Sequence, residues 1–364
     1  MTGGLESTTG LRERGSVGTV TLRDIARVSG VSAQTVSCVI NNTGSVSEAV
    51  RERVRLIADQ MGYRPNKSAK AMRTGLSQTL GLVISDMGNP FFPELAQSVE
   101  HAAADAGYAV FLVDGQGSLE AVADRIAALS SHLVDGVITT EYSPAIDRLG
   151  LPTVLIGGPV PGIDCVNADD TGGGAMLATH MLTKGHRNFG LITGSRGECL
   201  TIRRQSFVET ITAAGGKVVW ELMVPEDESI TDDLRTALRR RDMTALICSN
   251  DLIAVRALHV LRQLGRNVPE DLSVTGFDDI SWAAIVMPPL TTVRQPFMAM
   301  GVEAITLLQK RIADRKRRYR HLKLRVKLVE RESVAGITAS VQKTVPPSRG
   351  REISGVAVRG GARC

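Results

Sequence analysis

Apolar residues recur at helical spacing in three short stretches near the start of the chain. The stretches lie at 22–29, 32–41 and 47–61. Thr21 precedes the first stretch and Asp24 follows three residues later, which is the pattern of a capping box. Gly30 separates the first two stretches, and Gly62 ends the third. The pattern predicts a bundle of three helices, in which a short turn joins the first helix to the second.

From residue 80 onward the pattern changes to apolar runs that alternate with amphipathic stretches. Runs rich in Val and Ile predict strands at 80–84, 109–113, 136–138, 153–156, 188–192, 217–219, 245–248 and 272–277. Helical spacing predicts helices at 93–106, 119–131, 172–184, 203–214 and 252–264. A late run with period-two alternation, 322–329, predicts one further strand. Buried strands that alternate with helices are typical of parallel, doubly wound α/β sheets, and this many suit two subdomains better than one barrel.

Composition narrows the class of protein. The chain has 364 residues, of which 43% are hydrophobic, so we expect a folded globular protein with two or three domains. No apolar run approaches the roughly 18–20 residues that span a bilayer, and the N-terminus lacks the pattern of a secretory signal. The five scattered cysteines form no Cys-x-x-Cys, which fits a reducing cytoplasm and argues against a thiolate zinc site. We expect no cofactor, no metal and no membrane partner.

The net charge of +5 is small, but its distribution is informative. Residues 20–75 carry nine basic and four acidic residues, which makes the predicted three-helix head basic. A compact basic head favours contact with phosphates, although a solvated basic helix face is also common. A second basic run, 310–331, has eleven Lys and Arg against two acids. We interpret that run as the polar face of a helix end and a strand rather than as a second DNA surface.

The first two helices have the arrangement of a helix-turn-helix, whose second helix enters the major groove of DNA. Gln can bond an adenine edge, a small apolar residue can meet a thymine methyl, and Ser or Asn can reach phosphates. The alternative is an ordinary three-helix bundle. One face of the second helix does not point into the predicted core. It presents Ser32, Ala33, Gln34, Ser37, Cys38 and Asn41.

Polar and aromatic residues follow several predicted strands of the body, where doubly wound sheets bind ligands. Carboxylates, an arginine fork and aromatic walls suit a polyol or a sugar. For each residue alone, a helix cap is the simpler interpretation. The candidates are Ser85, Asp86, Asn89, Phe91, Phe92, Arg203, Asn250, Asp251, Phe277, Asp278 and Asp279.

The order of these motifs resembles the lactose/galactose repressor (LacI/GalR) family. The matching motifs of the head lie at 21–26, 30–32, 35–37, 39–41, 46–47 and 62–66. The resemblance implies DNA contacts from Thr21, Ser32, Ala33, Gln34, Thr35, Ser37, Cys38 and Asn41, and from Asn66, Ala69 and Met72 of a hinge that folds on DNA. Met72 stands where an apolar wedge into a base step is usual. Cys38 stands where Arg is common, so we expect base recognition to depend more on Ala33 and Gln34.

The body resembles the same family, which is in turn similar to periplasmic sugar-binding proteins. Matching motifs lie at 89–92, 134–138, 169–170, 184–187, 249–251, 276–279 and 288–293. By this resemblance Arg203 and Asp251 are the foremost effector contacts, with Ser85, Asp86, Asn89, Phe91, Phe92 and Asp278 on the surrounding walls. The family's Asp-Arg is replaced by Gly157 and Gly158, and Thr201 and Ser206 also depart from it, which leaves the effector unidentified. The helices at 95–103 and 252–261 are expected to form a dimer face.

The sequence therefore predicts an all-α helix-turn-helix head followed by a periplasmic-binding-protein-like α/β body of two doubly wound parallel-sheet subdomains. The boundaries are a disordered leader (1–19), a DNA-binding domain (20–65), a hinge (66–76), a body (77–338) and a disordered basic tail (339–364). We expect a cytoplasmic regulator, most simply a repressor. Its expected partners are operator DNA, a sugar, sugar acid or sugar phosphate, and further copies of the chain in a homodimer or larger assembly.

Two other classes of protein fit the sequence less well. An α/β enzyme would be expected to show a dinucleotide fingerprint, a phosphate loop or a nucleophile elbow, and none of these motifs occurs. His186 lies in a Gly-His-Arg turn without an evident catalytic triad. A solute-binding protein would need export, which the basic head and the N-terminal sequence disfavour.

Overall fold

The computed structural model describes residues 20–63, 75–115, 124–125, 127–128, 134–144, 150–194, 197–224 and 231–337. The chain divides into two compact units, one ending at Gly75 and the other beginning at Leu76. The predicted disordered leader and tail, the hinge residues Asn66, Ala69 and Met72, and most of the helix expected at 119–131 lie outside the described residues.

The first unit contains the three predicted helices, α1 (Leu22–Ser29), α2 (Ala33–Ile40) and α3 (Glu48–Gln60). The capping box is confirmed, because the Thr21 backbone N–H donates to Oδ2 of Asp24 at 3.0 Å and the Asp24 N–H donates to Oγ1 of Thr21 at 3.4 Å. Gly30 ends α1 with φ +68°, a left-handed conformation that favours glycine. The apolar stripes of the three helices meet in one small core around Ile25, Val36 and Val54.

The second unit begins with a six-stranded, fully parallel sheet. Its strands are β1 (Thr79–Ile84), β2 (Ala109–Asp114), β3 (Gly136–Thr139), β4 (Thr153–Ile156), β5 (Asp164–Ala168) and β11 (His321–Leu324). Their order is β11-β5-β4-β3-β1-β2, so the sheet grows outward in both directions from β1 and β3. The helices α4 (Phe91–Asp105) and α9 (Phe297–Ala313) pack on this sheet and on each other. They approach closely at Gly301, where a Cβ atom would lie 2.5 Å from the Ser98 carbonyl oxygen.

A second sheet repeats the same strand order on a smaller scale. It contains β6 (Asn188–Gly194), β7 (Lys217–Val224), β8 (Ala245–Cys248) and β9 (Ser273–Thr275), all parallel, in the order β7-β6-β8-β9. Its helices are α5 (Asp170–Thr183), α6 (Glu198–Ala213), α7 (Asp232–Leu238) and α8 (Asp251–Gln263). The fold class predicted from the sequence is confirmed.

The chain passes between the two sheets three times, and one of these passages corrects a prediction. The single strand expected at 322–329 is two strands. β11 pairs with β5 in the first sheet, whereas β12 (Lys327–Val329) pairs antiparallel with β10 (Thr292–Arg294) beside the second. The prediction was wrong because alternation continues across Arg325 and Val326 while the chain changes sheets. The predicted list of strands also lacked β5 and β10, and the list of helices lacked α7 and α9.

The start of the second unit is attached to its first sheet by Asp135. Oδ1 of Asp135 accepts hydrogen bonds from the Ser77 N–H at 2.7 Å and the Ser77 hydroxyl at 2.9 Å. Its Oδ2 accepts from the Gln78 N–H at 2.8 Å. Gln78 has φ +55°, which is unusual for a residue with a side chain, and these hydrogen bonds hold it there.

Candidate DNA-binding face and effector cleft

The cleft of the second unit lies where both sheets reverse their strand order. β1 and β3 are neighbours, and the chain continues from β1 to β2 on one side and from β3 to β4 on the other; β6 and β8 repeat this arrangement with β7 and β9. The loops at the carboxyl ends of such strands diverge and leave a crevice. A cavity of about 130 Å³ lies there, and it is lined by residues from both halves of the unit.

Seven of the eight predicted effector residues line this cavity: Ser85, Asp86, Asn89, Phe91, Phe92, Arg203 and Asp278. Several are held by local hydrogen bonds. The Ser85 backbone N–H and hydroxyl both bond Oγ1 of Thr140 at 2.9 Å, and Oδ1 of Asn89 accepts from the Phe91 N–H at 3.1 Å. The rings of Phe91 and Phe92 meet edge to face, 5.1 Å apart, and form an apolar wall.

Arg203, on α6, is the centre of a buried charge network. Its Nε donates to Oδ1 of Asp170 at 2.7 Å, and its Nη1 donates to the Ser249 carbonyl at 2.9 Å and to Oδ1 of Asp278 at 3.3 Å. The guanidinium also stacks 3.7 Å from the centre of the Phe277 ring. Burial opposes its charge, but the two carboxylates more than offset that effect, so the pKa of Arg203 lies above its ordinary value. Arg203 therefore lines the cleft with its charge already paired.

Asp251, the eighth predicted residue, is outside the cleft. Its side chain is fully buried, where Oδ1 accepts from the Thr292 hydroxyl at 2.6 Å and Oδ2 accepts from the Ile280 N–H at 3.0 Å. Burial raises the pKa of this carboxyl to about 7, although both hydrogen bonds act in the opposite direction. The preceding residue, Asn250, lines the cavity and also caps α8 through the Ile253 N–H at 2.8 Å. Asp251 is thus placed to hold the loop to β10 rather than to meet a ligand.

Several cavity residues were not among the predicted contacts. They are Thr140, Glu141, Asn167, Asp170, Cys199 and Gln295. Thr140 directly follows β3 and Glu141 is the next residue, and this position was a usable signal because residues after a switch-point strand border the crevice. Asp170 lay in a matching motif without being chosen, and Asn167 lies on the strand that the pattern missed. Burial, and next the Asp170 carboxylate, raise the pKa of the Cys199 thiol to about 12.

In the first unit, α2 presents the predicted recognition face. Val36 and Val39 are buried, while Ser32, Ala33, Gln34 and Asn41 are exposed. Some of these side chains serve the helix itself. Oγ of Ser32 caps α2 by accepting from the Thr35 N–H at 3.0 Å, and Nδ2 of Asn41 donates to the Ser37 carbonyl at 2.8 Å.

Cys38 is half-buried and packs against the turn after α2. Its Sγ lies 3.2 Å from the position that a Cβ of Gly44 would take, and Gly44 has φ +70°. Thr35 and Ser37 are also half-buried, and Thr21 is exposed at the start of α1. Exposed basic residues accompany this face: Arg23, Arg27, Arg53 and Arg55.

Comparison with known proteins decides the family. Residues 21–66 match the family described as bacterial regulatory proteins, lacI family, and residues 178–334 match a periplasmic binding protein-like domain. The HTH-type transcriptional repressor PurR of Photobacterium profundum is 31% identical to this chain over 328 residues, which cover 86% of the chain and 98% of that relative. The chain belongs to the LacI family.

Solved structures of LacI-family regulators share its architecture. The transcriptional regulator CelR in complex with cellobiose is 31% identical, with a TM-score of 0.62, and the match covers 86% of this chain and 99% of that one. The Lac repressor dimer bound to operator and the anti-inducer ONPF matches with a TM-score of 0.76 over 87% of this chain and 99% of that one. At 23% identity this second likeness concerns the fold alone. As a LacI-family protein, the chain is a DNA-binding transcriptional repressor with an effector-binding body, and not an enzyme.

The dimer face that the sequence predicted, at 95–103 and 252–261, stays a prediction. The apolar residues of the 95–103 segment, such as Leu95 and Val99, and most of those of 252–261 are buried inside the subunit. Large apolar side chains that are exposed lie elsewhere in the body. They include Phe111 and Leu112 on β2, Met223 on β7, and Trp282, Ile285 and Met287 after β9.

No cluster of side chains able to hold a metal ion occurs among the described residues. Across the same residues, no helix has the length and apolar character needed to cross a membrane.

Proposed function

We propose that this LacI-family chain binds an operator through α2 of its head and that a sugar or sugar derivative in the cleft of its body controls that binding. The observation that carries the DNA part is the exposed face of α2. There Ala33 and Gln34 are exposed and have no capping role, and the same unit carries exposed arginines on α1 and α3. An adenine edge and a thymine methyl are the base groups that these two side chains suit.

We propose a homodimer as the working form. Exposed apolar side chains occur on β2, on β7 and after β9, and burying part of this apolar surface against a second copy would favour such an assembly. Two heads would then meet two half-sites of a palindromic operator. A regulator of chromosomal genes acts in the cytoplasm, and we propose that location.

The effector assignment is supported by the chemistry of the cleft. Carboxylate, amide and hydroxyl oxygens alternate there with the aromatic wall of Phe91 and Phe92, which is the combination that binds sugars. CelR, whose bound ligand is cellobiose, is similar along most of this chain. An effector that binds one state of the cleft more tightly shifts the population of DNA-competent heads by its difference in affinity.

The DNA proposal is tested by fluorescence anisotropy with labelled fragments from upstream of the protein's own gene. We expect specific retention that weakens steeply as salt rises, because phosphate contacts release counterions. Gln34→Ala should weaken binding to the selected site about tenfold, while Gln60→Ala, the same change at the exposed end of α3, should not. Absence of binding to all such fragments at low salt would refute the proposal.

The effector proposal is tested separately by thermal shift of the full chain with a panel of mono- and disaccharides. A ligand specific for the folded body raises its melting temperature. A true effector must also change the anisotropy titration with DNA, in either direction. A sugar that raises the melting temperature and leaves DNA binding unchanged would contradict the regulatory role.

A further inference from the structure

Carboxylates dominate the lining of the effector cleft. Asp86, Glu141, Asp170 and Asp278 line it, against one cationic side chain among the described lining residues, Arg203. That cation is already paired with Asp170 and Asp278 at 2.7 and 3.3 Å. The described lining residues therefore bring more negative than positive formal charge, and none of them is an unpaired cation.

Helix N-termini also surround the cleft, and they ordinarily attract anions. In this chain three of them are occupied by oxygen atoms of its own side chains. Asn89 accepts from the first turn of α4, Asp169 from the Gly172 N–H of α5 at 3.1 Å, and Asn250 from α8. The fourth, α6, has no side-chain cap and carries the carboxylate of Glu198 in its first turn. Side-chain oxygens thus cap three of these N-termini, and the Glu198 carboxylate offsets the positive end of the fourth.

Two carboxylate oxygens in the lining can still accept a hydrogen bond. Oδ2 of Asp170 and Oε2 of Glu141 are buried, and no described residue donates a hydrogen bond to either. The Asp170 side chain is only 2% exposed, so bulk water is a poor substitute for a donor there. A buried acceptor without a donor is costly, and a ligand that supplies one removes that cost on binding.

We infer that the effector of this protein carries no negative charge and presents hydrogen-bond donors to Glu141 and Asp170, as a neutral or amino-bearing polyol does. Sugar acids and sugar phosphates are excluded by the same carboxylates. The inference rests on the proposed effector function of the cleft and narrows the class of sugar derivatives that we propose for it.

Cys199 provides a way to measure the charge of the cleft without knowing the ligand. Its thiol lines the cavity, whereas Cys165 and Cys248 are fully buried. In a Cys38→Ser, Cys364→Ser background, Cys199 would be modified with two methanethiosulfonates of similar size, one bearing trimethylammonium and one sulfonate. Each rate, followed by intact mass, is divided by the rate of the same reagent with free cysteine.

We expect the cationic reagent to react about tenfold faster than the anionic one after this correction, and the ratio to fall with added salt. Glu141→Gln should lower the ratio about threefold. Asp105→Asn is the matched control, because it removes the same charge at the exposed far end of α4, about 20 Å along the helix from the cleft. If Cys199 reacts with neither reagent, Ser85→Cys in a Cys199→Ser background serves as the reporter.

A corrected ratio near one, a preference for the sulfonate, or an equal effect of Asp105→Asn would overturn the inference. So would a thermal shift with gluconate or glucose 6-phosphate that exceeds the shift with glucose and glucosamine. These outcomes are independent of the DNA titration, so the inference about charge can fail while the regulator function stands, and the reverse.

Discussion

Replacing Arg203 with methionine should destabilise the body strongly. The change keeps an unbranched stem of good helix propensity on α6 and removes the guanidinium. Two carboxylates, Asp170 and Asp278, would then remain 2% and 3% exposed without their cation, and the Ser249 carbonyl would lose a donor. Breaking a buried pair by removing one partner costs about 3–5 kcal/mol. We expect the free energy of unfolding to fall by that amount.

The next residue on the same helix supplies the control. Arg204 pairs with Glu221, but their side chains are 42% and 28% exposed, so solvent screens the pair. Exposed pairs contribute about 0–1 kcal/mol. Arg204→Met is the identical change one position along, and we expect it to cost no more than about 1 kcal/mol.

Urea denaturation at pH 7, followed by tryptophan fluorescence, measures both variants. Both tryptophans of the chain, Trp220 and Trp282, lie in the body, so the signal reports that unit alone. Adding Asp170→Asn to Arg203→Met removes one unpaired charge and should recover part of the loss. If Arg203→Met costs about as little as Arg204→Met, the network does not have the role that its burial implies.

Three further outcomes are expected. Cys38→Arg should change the base preference selected from a random DNA pool at one position of each half-site, and an unchanged motif would contradict a role for this residue in recognition. Asp251→Asn should gain stability relative to the parent as pH rises from about 4 to about 7, by about 1.4 kcal/mol per unit. The reason is that the carboxyl ionises above about pH 4 in the unfolded chain, whereas burial keeps it protonated in the folded chain up to its pKa of about 7; a gap that does not vary with pH would refute this. Gly30→Ala should lower the free energy of unfolding of the head by about 1 kcal/mol, measured by calorimetry. No atom lies within 4 Å of the added methyl group, so only the positive φ opposes the substitution. An unchanged free energy would show that the turn relaxes.

Periodicity predicted most of the parallel strands because their interiors are continuous runs of Val, Ile and Leu. It missed β5, whose sequence contains Asp164 and Asn167. Asp164 is fully buried and is tolerated there because Arg311 donates to it at 2.9 Å from α9, almost 150 positions along the chain. A polar residue inside a buried strand is recognised only when its distant partner is known.

In the cleft too, the sequence pattern does not reveal which single residues have partners elsewhere in the chain. Strand order placed the cleft, and side chains that follow strands β1 and β9 lie in it as predicted. Asn250 and Asp251 are consecutive at the start of α8, and sequence alone cannot decide which of them faces the crevice. Packing decides, because Asp251 accepts from Thr292 and the Ile280 N–H, and neither of these residues lines the cavity.

The attachment of Ser77 and Gln78 to Asp135 has a mechanical consequence. Leu76, where the second unit begins, directly precedes these bonded residues, so no intervening segment could take up a displacement. Asp135 directly precedes β3, and Thr140 and Glu141 at the other end of that four-residue strand line the cleft. A ligand that shifts β3 along its axis would therefore displace the first residues of the unit as well, because only this one short strand separates them from the cleft.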